Sequence, residues 1–245
     1  MDNQNANARK IPLAAKRIPD AKELSHERLG EKFRSGLSDY DTNRRVEVLV
    51  DQFLSDPMVV GKRTIDVGCG YGFFSKRLVE RGARVVACDL GPNLLAHARE
   101  FANCEAVLAD ALNLSAVFEP GSFDLVVSSE CIEHTPDPAL AIAEMARLLA
   151  PGGHIALSTP NLVWSPVVRA ASLAKLRPFD GYENFSTWRS ITTAMQDNQI
   201  KVLRKQGLHL FPFQFGLHAL SRWCDDHLQI ARGVMINLCV LGVKT

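Results

Sequence analysis

The signals that this sequence lacks exclude several classes of protein. The longest apolar run near the carboxyl end, VMINLCVLGV, is too short to span a bilayer. The opening residues, MDNQNANARK, contain no apolar segment of the kind that a signal peptide requires, so the sequence predicts a cytoplasmic protein with no membrane span. The six cysteines form no C-x-x-C pair and several lie in apolar runs, which indicates free thiols in a reducing compartment.

Strong charge of one sign is also missing. The chain has 28 basic and 27 acidic residues and a net charge of +1, and no extended basic stripe appears. A nucleic-acid partner is therefore not expected. The 245 residues, 47% of them hydrophobic, are typical of one globular domain. Residues 1–25 show no periodicity and are predicted to be disordered, which leaves residues 26–245 as a single domain.

What the sequence does contain is an alternation of short apolar runs and helical patterns. The runs RTIDVG, RVVACDL, CEAVLAD, SFDLVVSSE and HIALSTP are separated by stretches such as FFSKRLVERG, PNLLAHAREFA and PALAIAEMARLLA. This order predicts a doubly wound α/β fold with a parallel sheet covered on both faces, whose ligands bind at the carboxyl ends of the strands.

The second half follows a different pattern. We expect one helix over residues 186–207, a strand at LHLFPFQF, a helix at LHALSRWCDDHLQ and a final strand at GVMINLCVLGV. Earlier in the chain, Asp41-Thr42-Asn43 is a candidate cap for a helix that contains VEVLVDQFL.

A glycine-rich loop follows the first strand. Asp66 is followed by Gly68, Gly70 and Gly72, and glycines at alternate positions allow a sharp turn and a close approach to a ligand. Many tight turns contain two glycines, so the loop alone is weak evidence. A nicotinamide dinucleotide is disfavoured because the third glycine comes one position early for G-x-G-x-x-G and because Asp66 would oppose a pyrophosphate. The same charge could favour a cationic ligand.

Acidic residues end the next two strands. Asp89 could accept hydrogen bonds from both hydroxyls of a ribose, and Asp110 could accept one from an adenine amino group. Either acid alone is more often a helix cap or a solvated strand end. Three ligand-facing features at three successive strand ends favour a nucleoside-containing cofactor.

Together these motifs resemble those of the class I S-adenosylmethionine-dependent methyltransferases. The resemblance is carried by DVGCGYG, ACDL, ADAL and LLAPGG, over roughly residues 43–160. It implies a Rossmann-like, seven-stranded sheet, mostly parallel, with an antiparallel last strand and helices on both faces. The cofactor residues that it implies are Asp66, Gly68, Gly70 and Gly72 at the methionine end, Asp89 and Leu90 at the ribose, and Asp110 and Ala111 at the adenine.

The segment SSECIEHTPDP after the fourth strand is similar to that of the ubiquinone-biosynthesis O-methyltransferases and related bacterial small-molecule enzymes. This likeness implies that Ser129 and Glu130 contact the cofactor, and it makes Glu130, Glu133 and His134 candidate ligands for Mg²⁺. Thr135 stands where the RNA-methylating relatives carry a further histidine. Three interpretations remain: a metal site, a general base at His134 that Glu133 or Glu130 orients, and a polar loop with a structural role.

Two further regions complete the predicted site. In some relatives an arginine near position 45 binds the cofactor carboxylate, so Arg45 is our candidate for this bidentate contact. Residues 161–190 contain five aromatic residues and are predicted to form a substrate lid, with a small satellite core as the alternative. His209 and His218 could also reach the pocket.

The sequence as a whole predicts an enzyme that uses S-adenosylmethionine to methylate a small apolar or aromatic acceptor at oxygen. The alternatives are an RNA- or protein-directed methyltransferase and a protein that binds the cofactor without catalysis. The near-neutral charge and the aromatic, non-basic segment disfavour RNA.

Overall fold

The chain forms a single seven-stranded sheet with helices on both faces. The computed structural model describes residues 19–30, 34–35, 37–174, 181–211 and 216–245. The strands are β1 (Arg63–Val67), β2 (Arg84–Asp89), β3 (Glu105–Leu108), β4 (Phe123–Ser129), β5 (Leu149–Pro160), β6 (Ile200–Leu208) and β7 (Asn237–Lys244). The helices are α1 (Ser25–Leu29), α2 (Asp39–Val46), α3 (Asp56–Val59), α4 (Phe73–Glu80), α5 (Pro92–Ala102), α6 (Pro138–Leu148), α7 (Ser165–Leu173), α8 (Trp188–Asp197) and α9 (His218–His227).

The strand order is β3-β2-β1-β4-β5-β7-β6. Strands β1 to β5 pair in parallel with their neighbours, whereas β7 runs antiparallel to both β5 and β6. The predicted fold class is confirmed, including the reversed last strand. The order reverses between β1 and β4, so the carboxyl ends of these strands open a crevice of the kind in which α/β proteins bind ligands.

Alternating side chains of the central strand enter two different cores. On β4, Val126 packs with Ile142 and Met145 of α6, whereas Leu125 and Val127 pack with residues of α4 and of the helix before β1. Side chains of a strand point alternately to the two faces of the sheet, so both faces need a cover of helices. These two cores fix the strands that carry the loops of the site.

The second half of the chain differs from its prediction in two elements. The helix expected over residues 186–207 ends at Asp197, and β6 then occupies Ile200–Leu208. The sequence IKVLRKQGL has little alternation of apolar and polar residues, but pairing with β7 along its whole length stabilises it as an edge strand. The predicted strand LHLFPFQF was wrong in position, because only Leu208 belongs to β6, and residues 212–215 lie outside the described residues.

The amino-terminal elements also begin at different residues than predicted. Ser38 caps α2 through a hydrogen bond from the Asp41 backbone N–H, so the cap lies before the predicted Asp41-Thr42-Asn43. Helix α2 continues as a π-helical stretch, Glu47–Gln52. The segment of residues 1–25 is described only from residue 19, where a turn leads into α1. Among the described residues, no helix has the length and apolar character needed to cross a bilayer.

Candidate functional site

A cavity opens at the carboxyl ends of β1, β2, β3 and β4. Most of the predicted site residues line it, and these are Arg45, Asp66, Gly68, Gly70, Asp89, Leu90, Asp110, Ala111, Ser129, Glu130 and His134. Gly72 and Glu133 lie behind its wall. Residues separated by up to 89 positions in the sequence therefore meet in one place, as the parallel strand order requires.

The glycine loop shapes the floor of the cavity. Gly68, Gly70 and Gly72 all have positive φ values, of 71°, 51° and 85°, which side chains with a Cβ rarely adopt. A Cβ at Gly68 would lie 2.4 Å from the Cys131 Sγ, whereas one at Gly70 would meet no atom within 4 Å, so Gly70 presents open backbone to a ligand. Gly72 instead packs on helix α5, where a Cβ would lie 2.9 Å from the Ala98 Cα. Its role is thus helix packing, and the predicted cofactor contact does not follow from its position.

Asp89 is held in place by backbone donors. Its two carboxylate oxygens accept hydrogen bonds from the N–H groups of Gly70 (3.0 Å) and Gly91 (2.9 Å). Burial raises the pKa of Asp89 despite these donors. The two oxygens of a carboxylate together offer about four acceptor positions, so the backbone donors leave acceptor capacity for a ribose hydroxyl. After β3, the Asp110 side chain accepts a hydrogen bond from the backbone N–H of Leu112, two residues further along the chain (2.9 Å).

Asp66 is a buried acid at the end of β1. The Ser75 hydroxyl donates to its Oδ2 at 2.6 Å, and only 1% of the residue is exposed. Burial raises the pKa of Asp66 to about 7. A cation bound in the cavity would favour the ionised form, so the cost of this burial decreases when a positively charged ligand binds.

A directed hydrogen-bond chain connects Arg45 to Glu130. The Arg45 Nη1 donates to the Ser129 Oγ at 2.7 Å, and the Ser129 Oγ lies 2.8 Å from the Ser158 Oγ. The Ser158 hydroxyl donates to the Glu130 Oε1 at 3.0 Å, so Ser129 must be the donor to Ser158. Asn237 donates to the other oxygen of Glu130 at 2.9 Å. Burial and, to a smaller extent, the charge of the nearby Glu133 raise the pKa of Glu130 to about 7.

The geometry around His134 defines its tautomer. Its Nδ1 lies 2.8 Å from the backbone carbonyl oxygen of Tyr182, and a carbonyl can only accept, so Nδ1 carries the hydrogen. In the neutral ring the lone pair is therefore on Nε2, which lies 3.7 Å from the Glu133 Oε1. Glu133 is 1% exposed, and its other oxygen accepts from the Thr159 hydroxyl at 2.9 Å. The carbonyl of Tyr182, rather than a carboxylate, thus orients the ring.

The three candidate metal ligands are directed to different partners. Glu130 accepts from Ser158 and Asn237, Glu133 accepts from Thr159, and His134 donates to Tyr182. Over the described part of the chain, no group of three or more histidine, cysteine or acidic residues has an arrangement that could hold a metal ion.

The amino-terminal segment contributes residues that the sequence did not reveal. Glu23, Leu24, His26 and Glu27 line the cavity. Glu27 accepts hydrogen bonds from the backbone N–H groups of Asn93 (3.0 Å) and Leu94 (3.3 Å), and thereby caps helix α5 from outside it. A lone Glu in a polar segment gives no signal for such a distant cap.

The described aromatic residues of 161–190 are not among the residues that line this cavity, and these are Trp164, Tyr182, Phe185 and Trp188. The Trp164 and Trp188 indole N–H groups donate to the carbonyl oxygens of Val234 (2.9 Å) and Arg232 (3.2 Å), and Trp188 packs on the main core. The Tyr182 hydroxyl donates to Asp20 at 2.7 Å. Phe179 lies outside the described residues. His209 and His218, which were expected to reach the pocket, are not among the residues that line the cavity either.

Asn184 attaches the 181–187 segment to the histidine loop. Its backbone N–H donates to the Glu133 carbonyl at 2.8 Å, and its side-chain amide donates to the Thr135 carbonyl at 2.7 Å. The His26 ring meets the His134 ring edge-on, with centroids 4.3 Å apart. Residues from the amino-terminal segment and from the 181–187 segment therefore contact His134, which lines the cavity.

Comparison with known proteins places this site in a family. Residues 65–157 match the family model described as a methyltransferase domain. The chain is 38% identical over 194 residues to the ubiquinone biosynthesis O-methyltransferase of Xanthomonas campestris, covering 75% of this chain and 81% of that protein. It is 34% identical to the protein of the same name from Nitrosococcus oceani, covering 76% of this chain and 78% of that protein.

Solved structures share the fold at lower identity. A magnesium protoporphyrin IX methyltransferase from Synechocystis superposes with a TM-score of 0.65 at 16% identity, over 91% of this chain and 98% of that chain. An S-adenosylmethionine-dependent methyltransferase from Mesorhizobium loti gives a TM-score of 0.63 at 22% identity, over 83% of this chain and all of that one. On the strength of the sequence relatives, the chain belongs to the S-adenosylmethionine-dependent methyltransferases, in the branch of the ubiquinone biosynthesis O-methyltransferases.

Proposed function

We propose that the protein transfers a methyl group from S-adenosylmethionine to a hydroxyl oxygen of a small acceptor, and that His134 removes the proton of that hydroxyl. The observation that carries this proposal is the tautomer of His134: its Nδ1 donates to the Tyr182 carbonyl, so the lone pair of the neutral ring is on Nε2, on a residue that lines the cavity. The relatives are named as O-methyltransferases of ubiquinone biosynthesis. A hydroxylated precursor of ubiquinone is therefore the first acceptor to test.

The residues that line the cavity fit the chemistry of the cofactor. The open backbone at Gly70 would accommodate its amino-acid end, and the Arg45 guanidinium would bind its carboxylate. The acceptor positions of Asp89 suit the ribose hydroxyls, and Leu90, Asp110 and Ala111 lie where the adenine is expected. When bound, the cofactor would supply a methyl group on a positively charged sulfur, and the neutral thioether S-adenosylhomocysteine would be the leaving group.

The residues around the acceptor would handle its proton. As the oxygen of the acceptor takes the methyl group, its hydrogen moves to the His134 Nε2, and the ring becomes a cation. Burial raises the pKa of Glu133 to about 7, but an imidazolium 3.7 Å away would favour the ionised carboxylate, which would in turn stabilise that cation. Because Glu133 lies behind the wall, its role is electrostatic and it does not touch the acceptor. The protein otherwise acts by alignment of the two reactants.

The remaining features support a small-molecule acceptor. We propose that residues 161–190 form the substrate lid of a single domain, because the 181–187 segment is attached to the histidine loop through Asn184.

The net charge of +1 favours neither RNA nor DNA as a partner. The six cysteines are all free thiols, which fits a cytoplasmic location.

The test is a methyl-transfer assay with S-adenosylmethionine that carries a ¹³C-labelled methyl group. Candidate acceptors are hydroxylated ubiquinone precursors, an RNA pool and a protein extract. We expect a labelled methoxy carbon on the small phenolic acceptor and S-adenosylhomocysteine in equal amount. Label in RNA or protein alone would contradict the proposed acceptor class, and cofactor binding without transfer to any acceptor would contradict the catalytic role.

A further inference from the structure

Arg45 lies in a buried network that extends away from the cavity. We propose that His209 is a positioning residue for Arg45, and that it acts through Asp41 to hold the guanidinium ready for the carboxylate of the cofactor. This inference rests on the proposed function of Arg45 as the carboxylate-binding residue. His209 follows strand β6 and contacts Asp41, and it is not among the residues that line the cavity.

The hydrogens of Arg45 can be counted. Its Nε lies 3.2 Å from both oxygens of Asp41, its Nη2 donates to the Asp41 Oδ2 at 2.9 Å, and its Nη1 donates to the Ser129 Oγ at 2.7 Å. Guanidinium has five N–H donors. With the partners that the described residues supply, one hydrogen on each terminal nitrogen remains for a ligand, which is the number that a bidentate carboxylate contact requires.

Asp41 is the link between Arg45 and His209. Burial would raise the pKa of Asp41, but the charge of Arg45 and the hydrogen bond from His209 outweigh it and hold the pKa well below its usual range. The carboxylate is therefore ionised and can only accept. The His209 Nε2, 2.9 Å from the Asp41 Oδ1, must carry a hydrogen and donate it. One oxygen of Asp41 is thus fixed by the imidazole, while the other faces the Arg45 Nη2.

His209 is itself firmly held. It follows β6 with a φ of 61°, a left-handed conformation that non-glycine residues rarely adopt, and its side chain is fully buried. Its Nδ1 lies 3.9 Å from the Asp225 Oδ2, and Asp225 accepts from the Leu210 N–H at 3.1 Å. Strained backbone persists where the surrounding structure imposes it, often at functional sites. The imidazole thus lies between a carboxylate of α2, to which it is hydrogen-bonded, and one of α9, which is too distant for a hydrogen bond.

This arrangement makes a prediction that a purely structural role does not. Without the imidazole, the Asp41 carboxylate can rotate, and the Arg45 hydrogens lose their fixed direction. Only ligands with a carboxylate for Arg45 should then bind more weakly. 5′-Methylthioadenosine carries the adenosine and a thioether but lacks the amino-acid group, so its affinity should not depend on this network.

The experiment compares the Kd of S-adenosylhomocysteine and of 5′-methylthioadenosine by titration calorimetry. For His209→Ala we expect the Kd of S-adenosylhomocysteine to rise about tenfold, the effect of one hydrogen bond to a charged group, while the Kd of 5′-methylthioadenosine stays within about twofold. His209→Gln can still offer an N–H to Asp41 and should recover part of the loss. His227→Ala is the matched control, because this exposed histidine stacks on Trp223 rather than on a residue of the network, and both Kd values should stay unchanged.

Two further variants separate the possible failures. Arg45→Ala should weaken S-adenosylhomocysteine selectively, and an equal loss for both ligands would refute the carboxylate-binding role of Arg45. Suppose that Arg45→Ala weakens the binding of S-adenosylhomocysteine alone, while His209→Ala weakens the binding of both ligands equally or of neither ligand. That combination would refute the positioning role of His209. If His209→Ala does not fold, Asp41→Asn takes its place, since it removes the charge with little change of shape, and the same selective loss is expected.

Discussion

Replacement of His134 separates its role as a base from its role in the loop. His134→Gln retains an amide that can donate to the Tyr182 carbonyl, but it cannot accept a proton as imidazole does. His134→Ala removes both functions. A general base accounts for about 100-fold to 10,000-fold in rate. The hydrogen bond to Tyr182, at 2.8 Å, contributes about 1 kcal/mol, or roughly fivefold, to closing the loop.

We therefore expect kcat to fall at least 100-fold in both variants. The Kd of S-adenosylhomocysteine should stay within about fivefold for His134→Ala and should not change for His134→Gln. With a phenolic acceptor, the rate of either variant should rise steeply with pH, because the fraction of ionised acceptor replaces the missing base. Equal losses in kcat and in cofactor affinity, or a variant rate that does not increase with pH, would refute the assignment of His134 as the base.

Other residues give separate predictions. Burial raises the pKa of Asp66 from 3.8 to about 7, so between these pH values the folded protein holds a proton that the unfolded chain releases. The free energy of unfolding of the ligand-free protein should therefore fall by up to about 4 kcal/mol as the pH rises through this range. Asp66→Asn should reduce this dependence of the unfolding free energy on pH, measured by urea unfolding. Glu27→Ala removes the external cap of α5 and should raise the Kd of S-adenosylhomocysteine about fivefold, with kcat at saturating cofactor unchanged in a steady-state assay. Asn184→Ala should lower kcat about tenfold without changing that Kd, since it releases the Thr135 carbonyl beside the base. Because Glu130 already accepts two hydrogen bonds from protein donors, EDTA treatment should leave the rate unchanged, whereas a loss that Mg²⁺ restores would contradict this expectation.

The residues that we propose for cofactor binding could largely be predicted from the sequence, because each is marked by a short motif at the end of a strand. Gly68 and Gly70 report a backbone that needs positive φ, and Asp89 and Asp110 follow apolar strands whose parallel order brings their ends together. The same order predicts that Ser129 faces them from β4. Each of these inferences needs only a strand, its end and the direction of the next helix.

The features that the sequence did not predict depend on distant contacts. Glu27 caps a helix 66 positions away, and the His209 Nε2 reaches Asp41 across 168 positions. Neither residue differs from its neighbours in a way that marks it. Strand β6 was predicted as helix because IKVLRKQGL is a mixed pattern, and its conformation is determined by its pairing with β7.

The tautomer of His134 is also a long-range effect, since it is set by the carbonyl of Tyr182 rather than by the adjacent acids. Sequence proximity suggested Glu133 or Glu130 as the orienting group. Glu133 instead lies on the side of Nε2, where it can stabilise the protonated ring. We therefore propose divided functions for the short segment from Glu130 to His134, with Glu130 at the cofactor side and His134 at the acceptor side.

The proposed reaction is tested most directly by a single turnover of the wild-type enzyme with methyl-¹³C S-adenosylmethionine and a hydroxylated ubiquinone precursor. The product is followed by ¹³C NMR, with His134→Gln in parallel. We expect a methoxy signal that forms with the wild-type enzyme and at least 100-fold more slowly with the variant. A signal on carbon or nitrogen, or equal rates for the two proteins, would contradict oxygen methylation assisted by His134.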